Sequence, residues 1–102
     1  LMARTTLNEM KTRRLEQMSP AERAEFDANY AATKLALEVG EQVRDARETA
    51  GLSQRELAAR MGTSQAAIAR LEAGGVGATL TTLQKVATAL QLEVSVLLRP
   101  AS

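Results

Sequence analysis

The stretch SQRELAARMGTSQAAIARLE, residues 53–72, decides the fold of this chain. It reads as two short helices joined by a tight turn, because capping residues open each helix and a glycine lies between them. Ser53 and Glu56 have the spacing of a capping box, in which each side chain accepts a hydrogen bond from the backbone N–H of the other residue. Thr63 and Ser64 offer a cap for the second helix. We therefore expect two helices that pack closely against each other.

The apolar residues of this stretch support that packing. Leu57, Ala58 and Met61 fall on one face of the first helix, and Ile68 and Leu71 fall on one face of the second. After a glycine-rich loop, a further helix is predicted with a cap at Thr79 and an apolar face at i, i+3, i+4 and i+7, which comprises Leu83, Val86, Ala87 and Leu90. These faces predict a single aliphatic core.

The segment before the stretch is also helical in pattern. Ser19, Pro20 and Glu22 form a second capping-box start, and no further proline occurs until Pro100. Gly40 is a point at which this helix can bend or be interrupted, and a glycine at position 51 is suited to end it in a left-handed conformation.

The two aromatic residues of the chain, Phe26 and Tyr30, lie in this segment with a spacing of i and i+4. This spacing places them on one helical face, so they belong either to the core or to a surface that contacts a partner. The residues alone leave both alternatives open.

The C-terminal segment has a different pattern. Leu92, Val94, Val96 and Leu98 alternate with other residues, which is the period of a β-strand, and Pro100 ends the pattern. Because a single strand needs a partner and no other segment reads clearly as a strand, we expect it to pair with the same strand of a second copy. The prediction is a homodimer in which Val94, Val96 and Leu98 form the contact.

Composition lowers the expectation of an enzyme. The chain has no cysteine and no histidine, so it lacks the usual zinc ligands and the commonest general base. Glu22, Glu25 and Asp27 form the only concentrated group of carboxylates in the sequence. They fall in the first turns of a predicted helix, where negative charges interact favourably with the helix dipole, so they need no catalytic explanation. We expect no catalytic residue, metal or cofactor. No apolar run is long enough for a membrane span, which favours a cytoplasmic protein.

The net charge of +1 is small, but its distribution is uneven. Residues 1–50 hold eight basic and nine acidic residues, a net charge of −1, whereas residues 51–102 hold five and three, a net charge of +2. A basic face that attracts nucleic acid is therefore expected in the second half.

Three segments, GLSQRELAARMG, SQAAIARLEAG and LTTLQKVATAL, together resemble the lambda-repressor-like (Xre/Cro) helix-turn-helix family over residues 35–92. The resemblance implies an all-α, lambda-repressor-like helix-turn-helix bundle. With the patterns above, it gives a helical arm over residues 1–34, which binds a partner or is partly disordered. A DNA-binding domain then covers residues 35–92, and a short dimerising β-strand and tail cover residues 93–102.

The resemblance also implies that the helix after Ser64 enters the major groove of double-stranded DNA. The implied base-contacting residues are Gln65, Ala66, Ala69 and Arg70. The glutamine amide matches the donor and acceptor edge of adenine. The implied phosphate-contacting residues are Ser53, Gln54, Thr63, Ser64, Thr79 and Thr82. In the family, residues at the positions of Arg47 and Glu72 form a structural ion pair. Taken singly, each of these residues also fits an ordinary solvated or capping role.

The layout of arm, domain and strand is similar to the HigA class of bacterial antitoxins. This likeness implies a dimer that represses its own operon and neutralises a RelE-like ribonuclease toxin, with Phe26 and Tyr30 as the toxin-binding candidates. Two alternatives stay open. The first is a stand-alone transcriptional repressor or activator without a toxin partner, and the second is an interaction-only, coactivator-like protein. The operator sequence does not follow from these residues.

Overall fold

The computed structural model of the chain describes residues 12–13 and 16–101. Residues 12–13 and 16–17 are helical, and residues 18–101 contain four α-helices, which are α1 (Pro20–Thr49), α2 (Gln54–Met61), α3 (Gln65–Gly74) and α4 (Leu80–Leu90). The chain divides after Ala32 into two compact units. Residues 1–11 and 14–15 of the predicted arm lie outside the described residues.

The long helix α1 begins and ends where the sequence predicts. The Glu22 N–H donates to Ser19 Oγ at 3.1 Å, and the Ser19 N–H donates to Glu22 Oε2 at 3.4 Å, so the capping box is formed. The helix continues through the buried Gly40 without interruption. Beyond its end at Thr49, Gly51 has a φ of +74°, as expected for a glycine that stops a helix.

The next three helices each begin at a side-chain cap. The Ser53 hydroxyl accepts from the Glu56 N–H and completes the predicted capping box of α2. Ser64, rather than Thr63, caps α3 by accepting from the Ala67 N–H, and Thr79 caps α4 by accepting from the Thr82 N–H. These caps satisfy backbone donors that would otherwise have no partner, and they fix where each helix starts.

The core of the second unit is aliphatic and joins all four helices. Leu57, Ile68 and Leu71 are its most completely buried large side chains. The other buried members of this cluster are Val43, Ala58, Val86 and Leu90. Met61 and Leu83 pack against it from half-buried positions. The apolar faces predicted from the sequence therefore form the core.

The predicted C-terminal strand is absent from the described part of the chain. Residues 92–101 have neither helical nor strand structure, and Val94, Val96 and Leu98 are exposed. The physical reason is that a strand exists through hydrogen bonds to a neighbouring strand, and the described residues supply no second extended segment. The period of two is therefore a property of the sequence that has no paired strand within the described residues.

Candidate nucleic-acid interface

Helix α3 has an inner face and an outer face. Ile68 and Leu71 fix the inner face in the core. The outer face carries the four residues predicted to contact bases, of which Ala69 is half-buried and three are exposed: Gln65, Ala66 and Arg70. The Nε of Arg70 donates to the Ala66 carbonyl oxygen at 3.3 Å, so this guanidinium lies along the helix surface. The helix thus presents a polar amide at its N-terminal end and small side chains beside it.

A buried ion pair attaches α3 to α1. Arg47 Nε donates to Glu72 Oε2 at 2.7 Å, and Arg47 Nη2 donates to Glu72 Oε1 at 3.0 Å, which is a two-pronged contact. Arg47 Nη1 also donates to the Leu52 carbonyl oxygen at 2.7 Å. Gln54 joins the same group, because its Nε2 donates to Glu72 Oε1 at 3.1 Å. The network connects the start of α2 and the C-terminal half of α3 to α1.

The charges of this pair stabilise each other. Burial opposes ionisation of Glu72 and is the largest single influence on it. The hydrogen bonds from Arg47 and Gln54 together with the Arg47 charge outweigh burial and lower the pKa of the carboxyl. The hydrogen bond to Glu72 raises the pKa of Arg47. Both groups are therefore charged at neutral pH, and neither is available to contact DNA.

The residues predicted to contact phosphate lie at the starts of the three shorter helices. Ser53, Ser64 and Thr79 are exposed, and each hydroxyl oxygen accepts a backbone N–H of its own helix. A hydroxyl that accepts in this way still has its own hydrogen. The hydrogen of the Ser64 hydroxyl is free to donate to an anion, whereas the Ser53 hydroxyl hydrogen-bonds with the Glu56 side chain. The Thr79 hydroxyl donates to Thr82 Oγ1 at 3.0 Å, so the remaining hydroxyl donor of that pair is on Thr82.

An open cleft of about 270 Å³ lies beside α3. Two of the predicted phosphate-contacting residues, Thr63 and Thr82, line it together with Lys85. Lys85 makes no ion pair within the described residues, and it is the one charged residue in the lining of this cleft. The prediction from sequence omitted Lys85, although its position three residues after Thr82 places both on one helical face.

The remaining candidates lie elsewhere in the chain. Phe26 and Tyr30 belong to the first unit, and their side chains are 40% and 66% exposed, so neither is part of a core. Among the described residues, no group of acidic side chains is arranged to hold a metal ion. The same part of the chain contains no helix long and apolar enough to cross a bilayer.

A family model described as helix-turn-helix matches residues 43–97, which is more than half of the chain. The chain therefore belongs to the helix-turn-helix family. It is also 45% identical over 56 residues to the uncharacterized HTH-type transcriptional regulator y4dL of Sinorhizobium fredii. That match covers 55% of this chain and 29% of the relative. The chain thus spans less than a third of the relative's length. Both findings support DNA binding, and not catalysis, as the role of the matched segment.

Proposed function

We propose that this chain is a sequence-specific transcriptional regulator that places α3 in the major groove of double-stranded DNA. The observation that carries the proposal is the outer face of α3, where an exposed Gln65 stands at the N-terminal end of a helix whose other face is fixed in the core. A glutamine amide at this place can accept from N6 and donate to N7 of adenine. Ala66 and Ala69 are small enough to let the helix approach the bases.

The phosphate backbone is held on either side of α3. Ser53, with Gln54 beside it, forms one contact region at the start of α2, and Thr79 lies at the start of α4. The cleft adds Thr63, Thr82 and Lys85, which offer hydroxyl donors and a positive charge. Such contacts orient a protein on the duplex and supply affinity without sequence preference.

The test is fluorescence anisotropy with a duplex that the wild type selects from a randomised library, compared with a scrambled duplex at several salt concentrations. We expect Gln65→Ala to weaken binding to the selected duplex by roughly 10-fold and to leave the scrambled duplex nearly unaffected. Lys85→Ala should weaken both duplexes and reduce the salt dependence by about one phosphate contact. Gln84→Ala, an exposed glutamine of α4, is the matched control. The absence of any enriched duplex would contradict the proposal.

The finer function that we propose is that of an antitoxin of the HigA class, which represses its own operon and neutralises a RelE-like ribonuclease toxin. Two features of α1 support it. Phe26 and Tyr30 are exposed on the N-terminal part of α1, where no residue from 20 to 32 belongs to the core of the second unit, and aromatic residues are common anchors of interfaces. The helix also has four basic and seven acidic residues, a net charge of −3, which suits a basic partner.

Co-expression with the product of the adjacent gene tests the antitoxin function. We expect the two proteins to co-purify, and we expect the double variant Phe26→Ala with Tyr30→Ala to lose the complex while it retains DNA binding. Leu35→Ala removes an exposed apolar side chain outside residues 1–34 and should have no effect. A wild type that does not co-purify with the neighbouring product favours the stand-alone regulator.

We further propose that the regulator is a homodimer joined by its C-terminal segments. The exposed Val94, Val96 and Leu98 support this, since a second copy would supply the missing strand. Sedimentation should show a dimer for the wild type and a monomer for Val96→Lys, whereas Ser95→Lys, on the other face of the strand, should stay dimeric. The half-sites in DNA should then lie about 10 base pairs or a multiple apart. An unchanged dimer in Val96→Lys would contradict this interface.

A further inference from the structure

Two glycines bring the backbones of α1 and α3 unusually close. A Cβ atom on Gly40 would lie 2.6 Å from the Glu72 carbonyl oxygen and 2.7 Å from that of Leu71. Gly75, which follows α3 with a φ of +68°, would place a Cβ atom 2.8 Å from Ala36 Cβ. Each of these distances is shorter than any ordinary carbon contact. The C-terminal end of α3 therefore rests directly on the backbone of α1, with no side chain between them.

The contacts are arranged along one side of α1. Ala36, Gly40 and Arg47 follow each other at helical spacing, and each touches the end of α3 or the residue after it. The ion pair between Arg47 and Glu72 pulls the two helices together, and Gly40 sets how close they come. We name the contacts of Ala36 and Gly40 with Leu71, Glu72 and Gly75 the glycine seat.

The glycine seat acts on the end of α3 that is remote from the bases. Leu71 lies six residues from Gln65, or about 9 Å along the helix axis. A displacement at the seat therefore tilts or slides the whole helix, and with it the amide of Gln65. Base contacts require placement within about 0.5 Å, whereas contacts from mobile side chains to phosphates are more tolerant.

We infer that Gly40 and Gly75 are positioning residues for DNA sequence recognition, because they fix the distance between the backbones of α3 and α1. This inference rests on the proposed DNA-binding function. Neither glycine contacts DNA. Their role is to let α3 approach closely enough for Gln65 to reach the edge of a base, while the phosphate contacts at the starts of α2 and α4 do not depend on the seat.

The test uses Gly40→Ala, because the three atoms nearest to its Cβ would be backbone atoms, which a rotamer change cannot move away. Gly74→Ala is the matched control, since Gly74 lies in the same region and a Cβ there would meet nothing within 4 Å. Ala36→Val is a milder displacement of the same seat. The probe is the duplex selected by the wild type, and the readout is the ratio of its affinity to that of a scrambled duplex. Circular dichroism confirms that each protein is folded.

We expect the ratio to fall by roughly 10-fold in Gly40→Ala and by less in Ala36→Val, with the affinity for scrambled DNA and its salt dependence preserved. Gly74→Ala should behave as the wild type. A purely structural role would lower both affinities in proportion to the unfolded fraction and leave the ratio unchanged.

A folded Gly40→Ala with the wild-type ratio would overturn the inference. If Gly40→Ala does not fold, the same affinity ratio is measured for Ala36→Val, and a folded Ala36→Val with the wild-type ratio would overturn the inference. A wild type without any preferred duplex would instead refute the proposed function, and the inference would fall with it.

Discussion

The helical residues of the two units differ in how much of their surface they bury. From Pro20 to Ala32 every residue is exposed, and none of these residues belongs to the aliphatic core. From Thr33 onward the helices bury a shared aliphatic core and a charged network. Helical structure alone therefore does not indicate stability, because isolated helices are marginal and most of their stability in proteins comes from packing. We therefore expect residues 20–32 to contribute less to stability than the packed helices of the second unit.

The largest difference between buried and exposed positions should appear when a charge is removed. Glu72→Gln leaves the buried Arg47 with only the half-exposed Glu48, whose Oε1 is 3.8 Å from Arg47 Nη2, as a counter-charge, and we expect it to lower the free energy of unfolding by about 3 kcal/mol. Glu38→Gln removes the partner of Lys34 in a pair that is 4.0 Å apart and largely exposed, so it should cost less than about 1 kcal/mol. Urea unfolding of both variants measures this. If both variants lower the free energy of unfolding equally, the buried network stabilises the chain no more than the exposed pair does.

A matched pair of leucines gives the next comparison. Leu57 is fully buried, and Leu57→Ala should destabilise the chain by about 2–5 kcal/mol, because it leaves a cavity in the core. Leu35 is 61% exposed on α1, and Leu35→Ala should change stability by no more than about 0.5 kcal/mol. Thermal or urea unfolding distinguishes the two. A large cost for Leu35→Ala would mean that its side chain is covered in solution.

Acid should weaken the packed unit through Glu72. Its pKa is lowered from the ordinary value of 4.5, so the unfolded chain takes up the proton first as the pH falls. The stability that this carboxylate supplies is complete above the ordinary pKa and is lost as the pH falls through the lowered pKa of the folded chain.

The measurement is the difference in unfolding free energy between the wild type and Glu72→Gln from about pH 7 to about pH 3. This difference should shrink as the pH falls. Glu56, whose pKa is lowered by its hydrogen bonds with the backbone and hydroxyl of Ser53, is present in both proteins and cancels. If the difference in unfolding free energy stays constant from about pH 7 to about pH 3, the titration of Glu72 does not contribute to the acid sensitivity of the chain.

The helix starts and the core could be predicted from sequence, because caps and apolar periodicity are local properties. Ser53 with Glu56 and the buried Leu57 are examples. The glycine seat could not be predicted, since the close approach of Gly40 to Glu72 depends on how two distant helices pack. The C-terminal segment shows a different limit. Val94 and Val96 have the period of a strand, but a strand also needs a partner, and periodicity does not say where that partner is.

The smallest effect on stability is expected when the serines of the two capping boxes are replaced. Ser53 caps a helix in the packed unit, so Ser53→Ala should lower the free energy of unfolding by about 1 kcal/mol. Ser19 caps the exposed start of α1, where the first turns can fray without disturbing the core. Ser19→Ala should therefore leave the cooperative urea transition unchanged and only speed hydrogen exchange of the first amides of α1. If Ser19→Ala shifts the transition as much as Ser53→Ala, the two units unfold together, and the exposed helix has a stabilising contact in solution.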